Sequence, residues 1–228
     1  MSPSEPPVVS VERMQQIDET AIHTLGLPRL LLMDHAGLAV ARALCERLPT
    51  AGPREVLVCC GSGHNGGDGL AAARHLERFG LHPSVLLLNT LGRLKAEPAV
   101  FAGILTRLGI PIFELTSDQQ LPAASQRIAS AAAIVDALLG IGLRGTVRPL
   151  YASVISLLNQ AGKPIVSADV PSGLDADSGE PLGIAVQATA TVSFGLAKQG
   201  CFKGRGPKHV GQLIVDPITL PTRLLAVS

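Results

Sequence analysis

Residues 56–80 read VLVCCGSGHNGGDGLAAARHLERFG, and the fold can be worked out from this segment. Its apolar start, Val56–Cys60, has the composition of a buried parallel strand. Beyond Asp68 the apolar residues recur at three-residue spacing, which predicts a helix with Asp68 as its N-cap and Gly80 at its end. Between the two lies a loop that contains Gly61, Gly63, Gly66 and Gly67. The segment therefore predicts a strand, a glycine loop and a helix.

Such a loop suits an anionic ligand, because glycines let a ligand approach the backbone and the free N–H groups of a helix start attract phosphate. Three of the glycines also fit the pattern G-x-G-x-x-G. A nicotinamide-dependent dehydrogenase would place an acid about 20 residues further on. The next predicted strand, Ser84–Leu88, ends in Asn89 and Thr90 instead, which disfavours hydride transfer. A tight turn without a ligand is the alternative to a binding loop.

Composition narrows the class of protein. The 228 residues fit one large domain, and an apolar fraction of 46% supports a substantial core. A net charge of +1, five Phe, one Tyr and no Trp disfavour nucleic-acid binding. The four cysteines show no C-x-x-C pair, and no apolar run is long enough to span a membrane. The amino terminus does not resemble a secretory signal, so we expect a cytoplasmic protein without a membrane partner.

Strands and helices alternate along the rest of the chain. Residues 1–9 are predicted to be a flexible arm, and residues 10–228 a single domain. Ser10 is predicted to cap a first helix, and a second helix covers roughly Leu30–Leu48, with Asp34 and His35 facing solvent. Further strands are predicted at 84–88, 112–115, 131–139, 164–170, 188–194 and 212–215, with helices at 96–108, 121–130 and 150–161. This alternation is typical of an α/β fold with a mostly parallel, doubly wound sheet, preceded by two helices.

Three predicted loops should meet at one edge of this sheet, since parallel strands end on the same side. They follow the strands that end near Cys60, Asp136 and Asp169. Asn65, Asp136 and Ser172 offer hard oxygen atoms, which suit potassium, sodium or magnesium. A cation would also let acidic side chains lie beside a phosphate.

Simpler interpretations exist for several of these residues. Asp136 could cap a turn, and Ser172 could belong to a turn with Gly173. Lys198 could add positive charge to the site or lie on the surface. His64 could be a neutral loop residue, and Asp175 and Asp177 are expected on a solvated loop.

Four motifs in the chain closely resemble the NAD(P)H-hydrate epimerase family, the YjeF N-terminal domain. They are GSGHNGGDGLAAARHL, VDALLGIGL, SADVPSGLDADSG and TVSFGLAKQG, and the leading MQQIDETAIHTLGLPRLLLMDHAG is also similar. The resemblance spans about residues 11–217. It implies a Rossmann-like three-layer α/β/α sandwich, commonly a homodimer, that interconverts the R and S forms of hydrated NADH and NADPH. A separate dehydratase then restores the usable cofactor.

The resemblance also implies roles for individual residues. Asp169 would meet the reacting nicotinamide portion, and a potassium ion would be held by Asn65, Asp136 and Ser172. The substrate-binding loops would be His64, Asn65, Gly66, Gly67 and Asp68, and Gly140, Ile141, Gly142, Leu143, Arg144, Gly145 and Thr146. Two positions depart from the family: His64 replaces a frequent Asn, and Arg144 stands where some members carry Lys. Arginine stays charged and does not readily donate a proton.

The implied reaction inverts a carbon that bears a hydroxyl beside the ring nitrogen. Loss of the hydroxyl gives a ring cation, and water returns to the opposite face. We expect Asp169 to protonate the leaving hydroxyl, stabilise the cation and activate the water. The alternatives are a non-catalytic scaffold of the same fold that binds protein or RNA, and a nicotinamide-dependent oxidoreductase.

Overall fold

The computed structural model describes residues 7–48, 52 and 54–226. Its strands are β1 (Val8–Val9), β2 (Glu55–Cys60), β3 (His82–Leu87), β4 (Ile112–Glu114), β5 (Ala133–Ala137), β6 (Ile165–Ala168), β7 (Ala190–Phe194), β8 (Ala197–Lys198) and β9 (Gln212–Asp216). Its α-helices are α1 (Val11–Glu19), α2 (Arg29–Cys45), α3 (His64–Arg78), α4 (Ala96–Arg107), α5 (Leu121–Ser130), α6 (Pro149–Gln160), α7 (Gly206–His209) and α8 (Thr222–Leu225).

Seven strands form one sheet in the order β4-β3-β2-β5-β6-β7-β9, and every pairing in it is parallel. The chain runs outward from β2 to β4 and then returns to the other side of β2 with β5. The strand order therefore reverses between β2 and β5. In a parallel sheet, the crevice for a ligand opens at such a switch point, beyond the carboxyl ends of the strands.

Helices cover both faces of the sheet, which confirms the predicted three-layer α/β/α fold. Alternate residues of β2 face opposite ways, because side chains in a strand alternate with a period of two. Val56, Val58 and Cys60 join a core with residues of α1, α2, α3 and α4. Leu57 and Cys59 join a second core with residues of α5 and α6.

The glycine-rich helix begins earlier than its sequence predicts. α3 starts at His64 with Gly63 as its N-cap, so the prediction that Asp68 caps the helix was wrong. The reason is close packing. A Cβ on Gly66 would lie 1.9 Å from the Gly61 carbonyl oxygen, and one on Gly67 would lie 2.5 Å from the Met33 sulfur. These glycines therefore belong to the helix and let it lie against the β2 loop and α2.

The N-terminal segment is better ordered than predicted. Ser10 caps α1 as expected, accepting a hydrogen bond from the Arg13 N–H at 3.2 Å. Val8 and Val9, however, pair in parallel with Ala197 and Lys198. The predicted flexible arm thus includes two strand residues, while residues 1–6 of that arm lie outside the described part.

Asp34 was predicted to face solvent, but its side chain is half-buried and makes specific contacts. Its carboxylate is paired with Arg74, and its Oδ1 lies 3.1 Å from Nε2 of His75, which is buried. The side chain therefore ties α2 to α3. Within the described residues, no helix is long and apolar enough to cross a membrane.

Candidate active site

A cavity of about 710 Å³ opens at the carboxyl edge of the sheet, at the switch point between β2 and β5. The loop after β2 contributes Ser62 and Gly63, and the loop after β5 contributes residues 138–143. Asp169 comes from the end of β6, and Phe194 and Lys198 come from the region of β7 and β8. One wall is built by the N-terminal helical segment with Met14, Gln15, Asp18, Glu19 and Ile22. The three predicted loops therefore converge.

The first turn of α3 lines this cavity with His64 and Asn65. Its N-cap, Gly63, has no side chain to bond the free backbone N–H groups. Those groups and the positive end of the helix dipole are suited to binding a phosphate. Burial and the neighbouring Arg29 lower the pKa of His64, so its ring is neutral near pH 7.

Asn65 holds one unsatisfied polar atom. Its Nδ2 donates a hydrogen bond to the Leu139 carbonyl oxygen at 3.0 Å. Its Oδ1 is buried and accepts no hydrogen bond from the described residues. A buried carbonyl oxygen without a partner costs about 1–3 kcal/mol, so this atom is available to a ligand.

Asp136 lies at the centre of a buried network and also caps the turn that follows it, since its Oδ1 accepts a hydrogen bond from the Leu138 N–H at 3.4 Å. The carboxylate accepts hydrogen bonds from Ser167 Oγ at 2.7 Å and from the N–H of Ser172 at 2.9 Å. Its Oδ1 also accepts a bond from Ser172 Oγ at 2.5 Å. Register explains the contact with Ser167, because the two residues are paired between β5 and β6. Burial raises the pKa of Asp136, although these hydrogen bonds oppose the shift.

The three residues predicted as cation ligands meet around the backbone of Leu139. Asn65 bonds its carbonyl oxygen, and Ser172 Oγ accepts a hydrogen bond from its N–H at 2.8 Å. Ser172 in turn bonds Asp136. An amide oxygen, a carboxylate and a hydroxyl form a hard donor set, which fits potassium or another hard cation. Among the residues described, no group of three His, Cys, Asp or Glu side chains could hold a metal ion.

Asp169 is held in an unusual backbone conformation at the carboxyl end of β6. Its φ is +66°, in the left-handed region that few residues other than glycine adopt. The N–H still continues the sheet, donating to the Val192 carbonyl oxygen at 2.8 Å. Because strained conformations cluster at functional sites, this turn supports a role for Asp169.

Lys198 is the partner of Asp169. The ammonium group donates hydrogen bonds to Asp169 Oδ1 and, at 2.6 Å, to the carbonyl oxygen of Phe194. The Phe194 N–H donates to the same carboxylate oxygen at 3.2 Å. The lysine side chain is only 1% exposed, so the structure supports the site interpretation of Lys198 and not the surface one.

Three further acidic residues, Asp18, Glu19 and Asp68, line the cavity. Burial and the charge of Asp169 raise the pKa of Asp68 well above its usual value. The same two causes raise the pKa of Asp18 to about 6. The cavity thus combines four acidic side chains, counting Asp169, with one buried lysine, and burial raises the pKa of two of the acids, Asp18 and Asp68.

The predicted substrate-binding residues do not all reach the cavity. Those that line it are His64, Asn65, Asp68, Gly140, Ile141, Gly142, Leu143 and Asp169. Gly66 and Gly67 are buried within α3. Arg144, Gly145 and Thr146 lie outside the lining, and the exposed Arg144 guanidinium donates to the Leu143 carbonyl oxygen at 3.2 Å. Substrate binding by these five residues stays a prediction. Asp175 and Asp177 also lie outside the cavity lining.

Sequence reasoning missed several residues that line the cavity, including Asp18, Arg29 and Tyr151. Asp18 and Arg29 belong to the leading helical region, which showed only an apolar stripe and its polar neighbours. Tyr151 lines the cavity from α6 and donates a hydrogen bond to the Leu88 carbonyl oxygen at 3.2 Å. As the only tyrosine in the chain, it carried no positional pattern.

A family model described as "YjeF-related protein N-terminus" matches residues 29–200, which is most of the chain. The chain belongs to this family. The YjeF-related match begins at Arg29, so α1 lies outside it.

Curated relatives of this YjeF-related chain fall into two kinds. A protein named "NAD(P)H-hydrate epimerase" from Limosilactobacillus reuteri is 37% identical over 208 residues, covering 91% of this chain and 93% of its own. "Bifunctional NAD(P)H-hydrate repair enzyme Nnr" of Pyrobaculum aerophilum is 43% identical over 199 residues, covering 86% of this chain. The match covers 39% of that longer protein, and 40% of its counterpart from Coxiella burnetii.

A solved structure supports the same family fold. The crystal structure of yeast ynu0 superposes with a TM-score of 0.78 at 28% sequence identity. The alignment covers 92% of this chain and 87% of the yeast chain.

Proposed function

We propose that this chain interconverts the R and S forms of hydrated NADH and NADPH. The observation that carries this proposal is the placement of the Asp169 carboxylate in the same cavity as the free N-terminus of α3. A dinucleotide needs both: an anion site for its phosphates and an acid–base group at the reacting ring. The Limosilactobacillus reuteri relative, matched over nearly its whole length, carries the name of this activity.

Asp169 is the group proposed to act at the ring. Its Oδ1 is bonded to Lys198 and to the Phe194 N–H, whereas its Oδ2 accepts no hydrogen bond from the described residues. That free oxygen can stabilise the ring cation and take a proton from the returning water. Lys198 and the strained turn fix the position of the Asp169 carboxylate. When the phosphates of the dinucleotide bind at the start of α3, the distance between this carboxylate and the ring is therefore set.

We also propose a potassium site formed by Asn65, Asp136 and Ser172. The unpartnered Oδ1 of Asn65 supports it, as do the hydrogen bonds that link Asn65 and Ser172 to Leu139 and Ser172 to Asp136. A bound potassium ion supplies positive charge that balances the acidic side chains beside a pyrophosphate. The residues themselves hold the loop after β5 against the start of α3.

Three accompanying predictions complete the proposal. A dehydratase supplied by another protein, or by sequence beyond this chain, would consume the S form, in keeping with the longer Nnr relatives. A homodimer stays a prediction from the family resemblance, and a cytoplasmic location stays a prediction from the sequence of the chain.

The test follows the R form of hydrated NADH in the presence of excess dehydratase that acts only on the S form. With the protein added, we expect the R form to disappear many times faster than it does spontaneously. Asp169→Ala is the matched variant, and its rate should return to the spontaneous one while its circular dichroism spectrum is unchanged. An unchanged rate with the wild-type protein would favour the non-catalytic scaffold and contradict the proposal.

A further inference from the structure

The segment that precedes α2 builds one wall of the cavity. Three of its residues, Met14, Ile17 and Ala21, are buried in the main core. Asp18 lies on the same helix and turns into the cavity. Because the buried stripe fixes α1 in place, Asp18 occupies a defined position within the site.

The carboxyl group of Asp18 is half-buried and has no hydrogen bond to any residue that the structure describes. The charged groups that act on it are Asp169, Lys198 and Arg29. Asp68 lies close enough to interact with it as well. A desolvated carboxyl group without a protein partner is unusual, because burial without compensation costs free energy. Its oxygens are therefore available to a molecule in the cavity.

Epimerisation requires two different proton transfers, to and from oxygen atoms on opposite faces of one carbon. The departing hydroxyl must receive a proton on one face, and the returning water must lose one on the other. Asp169 is a weak candidate for the first transfer, because Lys198 and the Phe194 N–H both donate to its carboxylate and favour an acceptor. A separate acid in the same cavity would supply the missing proton.

We propose that Asp18 is a second catalytic residue, which exchanges a proton with the ring hydroxyl while Asp169 exchanges one with water on the opposite face. This inference rests on the proposed epimerase function. In one direction, the Asp18 carboxyl donates its proton to the hydroxyl, and the C–O bond breaks with its electron pair leaving on water. The ring nitrogen lone pair forms the cation. Water then bonds to the other face and gives its proton to the Asp169 carboxylate.

The same two groups serve the reverse direction with their roles exchanged. Between turnovers the proton returns from Asp169 to Asp18 through solvent. The raised pKa of Asp18, about 6, suits a group that must both give and take a proton near neutrality. Burial and the charge of Asp169 also raise the pKa of Asp68, so Asp68→Asn is the variant that distinguishes the two carboxyl groups.

The experiment measures the R-to-S rate with Asp18→Asn, Asp18→Glu, Asp68→Asn and the control Glu12→Gln. Glu12 is exposed on α1 and does not line the cavity. Asp18→Asn should lower kcat by about 100-fold with little change in KM, since general acid–base groups contribute about 10²–10⁴-fold. Asp18→Glu should recover a large part of that loss, and Glu12→Gln should match the wild type.

A pH profile of kcat gives a second readout that does not depend on any variant. The wild-type rate should decline above about pH 6, as Asp18 loses the proton that it must donate. That alkaline limb should be absent in Asp18→Asn. Each structural variant is checked by its melting temperature, which should stay within a few degrees of the wild type.

Two results would overturn the inference. In the first, Asp18→Asn keeps more than half of the wild-type kcat. In the second, Asp68→Asn loses activity while the alkaline limb survives in Asp18→Asn. Both leave the proposed function intact, because wild type and Glu12→Gln are still active. If wild type and Glu12→Gln are themselves inactive, the proposed function fails instead.

Discussion

Lys198 and Asp169 form a buried ion pair that joins two separate parts of the chain at the carboxyl edge of the sheet. The lysine side chain is 1% exposed and the aspartate side chain 11%. Lys198 belongs to β8, and β8 is paired with Val8–Val9 near the start of the chain. The N-terminal segment therefore supports the residue that positions the proposed catalytic carboxylate.

Replacing Lys198 with Met should destabilise the fold strongly. The change would leave the Asp169 carboxylate buried without its charged partner, and such a loss costs about 3–5 kcal/mol. Urea denaturation measures it. Lys203→Met is the control, because Lys203 is exposed and its ammonium group bonds only the half-buried Gln199 side chain among the described residues. Equal stability losses in the two variants would show that the buried pair has no special role.

Two helical glycines should respond in opposite ways to alanine. Gly66→Ala places a Cβ 1.9 Å from the Gly61 carbonyl oxygen, so the loop after β2 or α3 must move, at a cost of about 1–3 kcal/mol or more. Gly103→Ala in α4 meets only the flexible end of Arg107 at 3.6 Å. It should stabilise the protein by about 0.5–1 kcal/mol. Thermal or urea denaturation tests both, and a stabilising Gly66→Ala would contradict the packing described here.

Potassium should raise the melting temperature of the wild-type protein. At ten times its Kd, a ligand of the native state adds about 1.4 kcal/mol, which is about 3–6 °C for a chain of this size. The comparison uses potassium chloride and tetramethylammonium chloride at equal ionic strength. Asn65→Ala removes the buried Oδ1 and should abolish the difference. Asn89→Ala, outside the cavity lining, should retain it. A wild-type protein that melts at the same temperature in both salts has no such site.

The stability of the protein should depend on pH through Asp18. Its pKa rises from 3.8 in the unfolded chain to about 6 in the folded one, so the native state binds more protons between those values. Stability contributed by this group is therefore complete below about pH 4 and is lost as the pH rises through 6. Asp18→Asn should gain about 1 kcal/mol over the wild type between pH 4 and pH 7, a figure reduced for solvent screening. Urea denaturation across that range tests it, and a pH-independent difference would contradict the assignment.

The parts of the site that are local in sequence were predictable. The glycine loop comes directly after the apolar strand β2. Asp136 lies near the end of β5, and Asp169 and Ser172 come shortly after the end of β6. Parallel topology then places them at one edge, and the structure brings them into one region. The start of α3 was misjudged because Gly66 and Gly67 are poor helix formers, and only their contacts with Gly61 and Met33 explain them.

Residues brought in by long-range packing could not be predicted in the same way. Asp18 enters the site because α1 lies against the core of the sheet, and Lys198 is buried because β8 pairs with β1. The apolar stripe of α1 predicts that one helix face is buried but not that Asp18 meets the cavity, and the pairing of β8 with β1 leaves no periodic pattern. Each of these two strands has only two residues, and the paired residues Val9 and Lys198 are 189 positions apart in the sequence. Such a pairing has no local sequence signal.

The most direct test of the account is the R-to-S conversion of purified hydrated NADH, followed by chromatography without a coupling enzyme. The wild-type protein should bring the two forms to equilibrium far faster than buffer does. Asp169→Asn keeps the size of the side chain but removes its charge, and it should lower kcat by at least about 100-fold. An Asp169→Asn protein that turns over at the wild-type rate would contradict the central claim that this carboxylate acts on the ring.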